Sequence, residues 1–123
     1  MTFNCLTLFP DLFAGFAAAG LVGRAVRDGL VTINLIDFRD YTDDKHGRVD
    51  DYPFSGGPGM LLMPQPLFDC FEDLGGREHG RVRRIYMSPA GRPFTQRDAE
   101  RLVGSFDTVD SLCSNGIIRL IWL

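Results

Sequence analysis

Short apolar runs alternate with helix-period segments along the whole chain, and this alternation most narrows the folds open to it. Phe3 to Leu8 reads as a strand that ends at Pro10, a residue suited to the first turn of a helix because its missing N–H has no partner there. Leu12, Phe13 and Phe16 share one helical face, which Gly20 closes. A second short helix runs from Val22 to Asp28 and stops at Gly29. Val31, Ile33 and Leu35 alternate with Thr32 and Asn34 ahead of Ile36 and Phe38, the pattern of a second strand. Leu67, Phe68, Phe71 and Leu74 repeat at helical spacing between Pro66 and Gly75-Gly76. Val82, Ile85 and Met87 mark a third strand. Thr95 and Asp98 have capping-box spacing ahead of a helix face made by Ala99, Leu102, Val103 and Phe106. Thr108 to Cys113 is a fourth strand, with Asp110-Ser111 interrupting its apolar run. The order predicts an α/β fold, a mostly parallel sheet with helices on its faces.

At 123 residues the chain has room for one domain, and no linker or internal repeat divides it. No apolar run reaches the roughly 18 residues of a transmembrane helix, so no membrane partner is expected. The first residues lack a basic stretch and carry Asp11, unlike a secretory leader. Cys5, Cys70 and Cys113 lie far apart without a CxxC pair, which fits reduced thiols in the cytoplasm. His46 and His79 stand apart from each other and from any cysteine, so no metal site is expected. The net charge of -3 conceals a basic zone, Arg77 to Arg101, on an acidic chain. Such a zone attracts phosphate, or is simply a solvated face.

Two segments offer chemistry. Tyr52-Pro53-Phe54-Ser55-Gly56-Gly57-Pro58-Gly59-Met60 closes a long polar stretch that starts at Arg39. Its glycines allow close approach of backbone to a ligand, yet it is neither a P-loop nor a dinucleotide fingerprint, and a structural Ω-loop fits it as well. Tyr86-Met87-Ser88-Pro89-Ala90-Gly91-Arg92 follows a strand and precedes a helix, and the carboxyl end of such a strand is the usual ligand position in an open α/β sheet. Ser88 offers a hydroxyl, and Ala90 and Gly91 offer amides to an adenosine-type ligand; an ordinary strand-to-helix turn is the alternative. Asp50 and Asp51 are adjacent on an extended chain and point apart, so a solvated pair fits better than a dyad. Arg24 and Arg48 are lone arginines of the kind usually found at the surface.

Phe9-Pro10-Asp11-Leu12-Phe13, Gly23-Arg24-Ala25, the block from Asp50 to Met60 and the block from Tyr86 to Arg92 occur in this order. The series resembles the bacterial tRNA (guanine-N1)-methyltransferases, the TrmD family of the SPOUT class, over residues 3–109. The resemblance implies transfer of a methyl group from S-adenosylmethionine to N1 of guanosine 37 in tRNA, on a knotted α/β domain acting as a cytoplasmic homodimer. It implies that Tyr86, Met87, Ser88, Pro89 and Gly91 belong to the first cofactor-binding loop. It places Gly56, Gly57 and Gly59 on the substrate side.

Residues 1–109 are thus expected to be the N-terminal part of such a catalytic domain, and residues 110–123 a divergent tail. The family continues its strand with Cys-Gly-(Arg or His)-Tyr-Glu-Gly, whereas Cys113 here is followed by Ser114-Asn115-Gly116. The family's catalytic Asp and knot-threading segment would lie beyond Leu123, so no catalytic residue is assigned. A truncated, inactive fragment is expected, its tail arising from a shifted reading frame or shortened gene. The alternative is a non-catalytic RNA-binding or subunit-interaction module on the same half-fold. The apolar run from Ile117 to Leu123 is expected to form an unprotected sheet edge.

Overall fold

A computed structural model describes residues 1–54, 56, 59–75, 80–113 and 119–122. The chain forms two compact units, Met1–Asp37 with His79–Leu123, and Phe38–Glu78. No linker-like composition marks where the chain passes from one to the other, which is why the sequence alone suggests a single body.

The first unit begins with β1 (Thr2–Thr7), then α1 (Pro10–Ala18), α2 (Gly20–Arg27) and β2 (Thr32–Asp37). Pro10 occupies the first turn of α1 as its chemistry dictates. Gly20 (φ +55) breaks the two helices apart, and Gly29 (φ +73) follows α2, both in the left-handed region where a Cβ is penalised. Numbering the second unit's strands in chain order, the sheet of the first unit continues with β5 (Val82–Pro93), α4 (Gln96–Ser105), β6 (Thr108–Leu112) and β7 (Arg119–Trp122). The strands lie in the order β2-β1-β6-β5-β7. All neighbours are parallel except β7, which runs antiparallel to β5. The expected mostly parallel α/β sheet is present.

Alternation along these strands sorts their side chains onto two faces. Ile85, Leu102 and Val109 form a buried cluster with Met1, Phe3, Met87 and Phe106 against it. Val103, expected on the core face of α4, is instead 68% exposed, because α4 turns only Asp98 and Leu102 fully inward.

Two expectations need correction. β5 runs through Pro93 rather than stopping at Met87. Asp110-Ser111 does not interrupt β6, because Asp110 is provided with polar partners inside the sheet. The run at 119–122 lies at the edge of the sheet as expected, β7 being the outermost strand, paired on one side with β5, Tyr86 opposite Ile121 and Met87 opposite Leu120. Ile117, Ile118 and Leu123 lie outside the described residues.

The second unit contains a 3-10 turn (Phe38–Tyr41), β3 (Asp50–Asp51), β4 (Leu61–Leu62) and α3 (Pro64–Asp73). β3 and β4 pair antiparallel, and the Met63 N–H donates to the Val49 carbonyl at 2.7 Å. The Tyr41 hydroxyl donates to Asp73 at 2.7 Å, which ties the 3-10 turn to the end of α3 and raises the phenol well above its ordinary pKa. Phe38, Val49, Pro66, Cys70 and Phe71 are buried.

Candidate functional site

The segment from Ser88 to Gly91 departs from both of its neighbouring ladders. β6 pairs β5 only over Val82–Tyr86. On the other side, Met87 and Arg92 are both registered against Leu120, so the four residues between them have no opposite number. This is a wide bulge inside a strand, not the expected turn at a strand end. The composition explains it: Pro89 has no N–H for a ladder, and Gly91 weakens strand geometry. Ser88 is buried, and its Oγ accepts the Ala90 N–H at 3.3 Å, while Pro89 and Ala90 are exposed and Gly91 is half-buried.

The chain is pinned immediately after the bulge. The Arg92 guanidinium grips both oxygens of Asp98, one contact being 2.8 Å. The same carboxylate accepts the Thr95 N–H at 3.0 Å and its hydroxyl at 2.8 Å, completing the capping box that starts α4. The Arg92 hydrogen bonds, followed by those from Thr95, hold the Asp98 carboxyl far below the usual carboxylate range.

The expected cofactor residues do not share one environment. Tyr86 and Met87 alternate onto opposite faces of β5, and Met87 packs against the apolar cluster. Met87 lines a cavity of about 530 Å³, whereas Ser88, Pro89 and Gly91 do not. The bulge is therefore a surface feature beside the core, built from Ser88, Ala90 and Gly91. In the second unit, Gly56 (φ +67) and Gly59 (φ +108) are exposed and left-handed, and the Gly56 N–H closes a turn onto the Pro53 carbonyl at 3.0 Å. Gly57 lies outside the described residues. Tyr52 and Phe54 beside them are exposed aromatics. Asp51 accepts the Tyr52 N–H at 2.7 Å and is exposed, while Asp50 is half-buried.

The basic zone is mostly structural. Arg81 donates to the Ser105 and Gly104 carbonyls at 2.7 and 2.8 Å, capping the end of α4. Arg83 lies over the Phe106 ring at 5.9 Å, Arg84 pairs with Asp110 at 3.5 Å, and Arg92 holds Asp98. Arg97 and Arg101 are exposed on α4, and Arg77 lies outside the described residues. Arg24 and Arg48 form surface ion pairs with Asp28 and Asp44.

Sequence reasoning missed one arrangement. Asn34 donates to Asn4 at 2.8 Å, Asn4 donates to Asp110 at 2.8 Å, and Arg84 reaches the other oxygen of Asp110. The register places these four residues side by side on β2, β1, β6 and β5. The available signal was a polar or charged residue at the third position of each of the four strands.

The family model for tRNA (Guanine-1)-methyltransferase TrmD matches residues 1–111. A tRNA (guanine-N(1)-)-methyltransferase of Staphylococcus epidermidis is 49% identical over 102 residues, 83% of this chain and 41% of the relative. One from Caldanaerobacter subterraneus is 44% identical over 115 residues, 94% of this chain and 46% of the relative. The crystal structure of a tRNA (m1G37) methyltransferase from Aquifex aeolicus superposes with a TM-score of 0.77 at 28% identity, covering 92% of this chain and 50% of that one. The chain thus spans less than half the length of these two curated relatives.

Proposed function

The chain belongs to the tRNA (guanine-1)-methyltransferase family, and from that premise we propose that it supplies the first cofactor-binding segment of an S-adenosylmethionine-dependent enzyme that methylates N1 of guanosine 37 in tRNA. The observation that carries this reading is the bulge at Ser88–Gly91. A stretch that is out of register with both neighbouring strands, with Ser88 buried in it and Pro89 and Ala90 exposed, brings a hydroxyl and irregular backbone together in the way that suits an adenosyl group. The Arg92–Asp98 clamp holds the bulge's downstream end, so less ordering is required on binding.

S-adenosylmethionine supplies an activated methyl group when bound. The chain's own part is to hold and orient it, because effective transfer depends on positioning the reacting atoms. Gly56 and Gly59 permit close approach of tRNA backbone, and Tyr52 and Phe54 are exposed aromatics on which an unstacked base can rest. Arg97 and Arg101 on α4 offer charge to phosphate. Homodimerisation and a cytoplasmic setting rest on the family resemblance. Among the described residues no helix is long and apolar enough to cross a membrane. No residue of this chain is given a proton-transfer role.

The test is calorimetric titration of the chain with sinefungin, a stable analogue of the cofactor. Measurable binding that weakens at least several-fold in Ser88→Ala is expected. Binding that is undiminished in Ser88→Ala and in a variant with Pro89–Gly91 replaced by three serines would remove the bulge from the cofactor site.

A further inference from the structure

β5 is constrained by residues that lie outside the family-matched stretch. The family model matches residues 1–111, and β7 (Arg119–Trp122) follows them. β7 lies on the side of β5 away from β6 and runs antiparallel to β5. Its Leu120 is registered against both Met87 and Arg92, with Ile121 opposite Tyr86 and Arg119 opposite Pro93. A single residue of β7 thus faces both ends of the candidate cofactor segment.

This register has a metric consequence. Cα atoms opposite each other in an antiparallel pair stand about 4.5–5.5 Å apart, so Met87 and Arg92 are separated by at most about 11 Å across Leu120. Drawn out straight, the chain from Met87 to Arg92 would span about 17 Å. Ser88 to Gly91 must therefore leave the straight line of the strand, and Pro89 and Ala90 are exposed there. Bringing the two ends together costs chain entropy, which the ladder on either side of the bulge offsets. Two other anchors act on one end each: pairing with β6 reaches Tyr86, and the Asp98 carboxylate holds Arg92. β7 joins the ends to each other. We infer that β7 is a strap that positions the Ser88–Gly91 segment, holding its two ends together so that the bulge keeps one shape for its ligand. The inference rests on the cofactor reading of the bulge and adds to it a positioning element from outside the matched residues. A segment already held in shape loses less freedom on binding, so opening the strap weakens binding without removing a contact to the ligand. β7 is the outermost strand, so its release leaves the order β2-β1-β6-β5 in place.

The experiment places Leu120→Pro and Ile121→Pro, separately, in the full 123-residue chain. Successive residues of a strand direct their N–H groups to opposite edges, so one of these prolines removes a hydrogen bond to β5 and the other removes a group facing away from it. The first kind should speed amide exchange at Ser88, Ala90, Gly91 and Arg92 at least tenfold and weaken sinefungin binding at least tenfold, while Leu6 and Val109 stay protected as in the parent. The second kind should stay near the parent on both measurements. Parental exchange at the bulge in both variants would overturn the inference, and so would faster exchange with undiminished sinefungin binding. Native-state exchange of the parent chain in low urea needs no variant: the bulge amides and those of Arg119–Trp122 should open together, ahead of β1 and β6. Bulge amides that open at lower urea than β7 would also overturn it. A parent chain that shows the shared opening but binds no sinefungin sinks the cofactor assignment alone, and sinefungin binding without the shared opening sinks the strap alone.

Discussion

The Asn4 side chain donates a 2.8 Å hydrogen bond to Asp110, 106 positions away in sequence, and both are buried within the sheet. Asp110 anchors a polar row that crosses four strands, with Arg84 on its other oxygen. Removing the carboxylate leaves the Asn4 amide without its acceptor and strips a largely buried guanidinium of its counter-charge. Asp110→Ala is expected to destabilise the protein by about 3–5 kcal/mol, the usual cost of breaking a buried pair from one side. Asn4→Ala should cost less, about 1–3 kcal/mol, because Arg84 still serves the carboxylate. Urea denaturation of both variants checks the ranking; a smaller loss in Asp110→Ala than in Asn4→Ala would contradict it.

The same row shows where sequence reading stops. Signals that act over a few residues were legible: Pro10 opening α1, Gly29 ending α2, and Thr95 with Asp98 capping α4. The parallel sheet followed from the alternation of elements. Asp110 looked like an interruption because its partners come from β1 and β5, which local sequence does not bring together. The arginines looked like a phosphate surface because nothing local shows that Arg81 turns onto carbonyls of α4 and Arg84 onto Asp110. The candidate segment around Ser88 read as a turn at a strand end, whereas β7 resumes pairing at Arg92 and makes it a bulge within the strand.

Gly23 sits in α2, where helix propensity favours Ala over Gly by about 1 kcal/mol. Here the packing opposes propensity. A Cβ at Gly23 would lie 2.1 Å from the Ala18 carbonyl oxygen and 2.4 Å from its carbon, both rigid backbone atoms. Gly23→Ala is therefore expected to destabilise by about 1–3 kcal/mol, as overpacking does, by forcing α1 and α2 apart. Thermal unfolding monitored by circular dichroism reads the sign directly; a raised midpoint would show that the junction yields without cost.

Thr95 caps α4 with its side chain, accepting the Asp98 N–H. Thr95→Ala should cost about 1 kcal/mol. Its partner Asp98 adds a pH dependence. Because the folded carboxyl is held below its unfolded value of 3.8, its contribution is complete above that value and falls away as pH drops further. Asp98→Asn should flatten the stability curve below about pH 4 relative to the parent chain. Curves of the two proteins that run parallel from pH 5 to pH 2 would show that Arg92 and Thr95 do not hold the carboxylate charged.

Cys5 lies on β1 and lines the apolar cavity, and burial, with a lesser contribution from Cys113, pushes its thiol from 9.0 up to about 11. A thiol that stays protonated is a poor nucleophile. Cys5 should react with iodoacetamide at pH 8 at least tenfold more slowly than the same residue in the urea-unfolded chain, as followed by peptide mass spectrometry. The sign for stability follows from the raised value. The unfolded chain ionises Cys5 first, so the stabilisation is complete below pH 9 and is lost as pH rises from there through 11. A rate that is unchanged by unfolding would place Cys5 at an open surface and contradict the packing of that face.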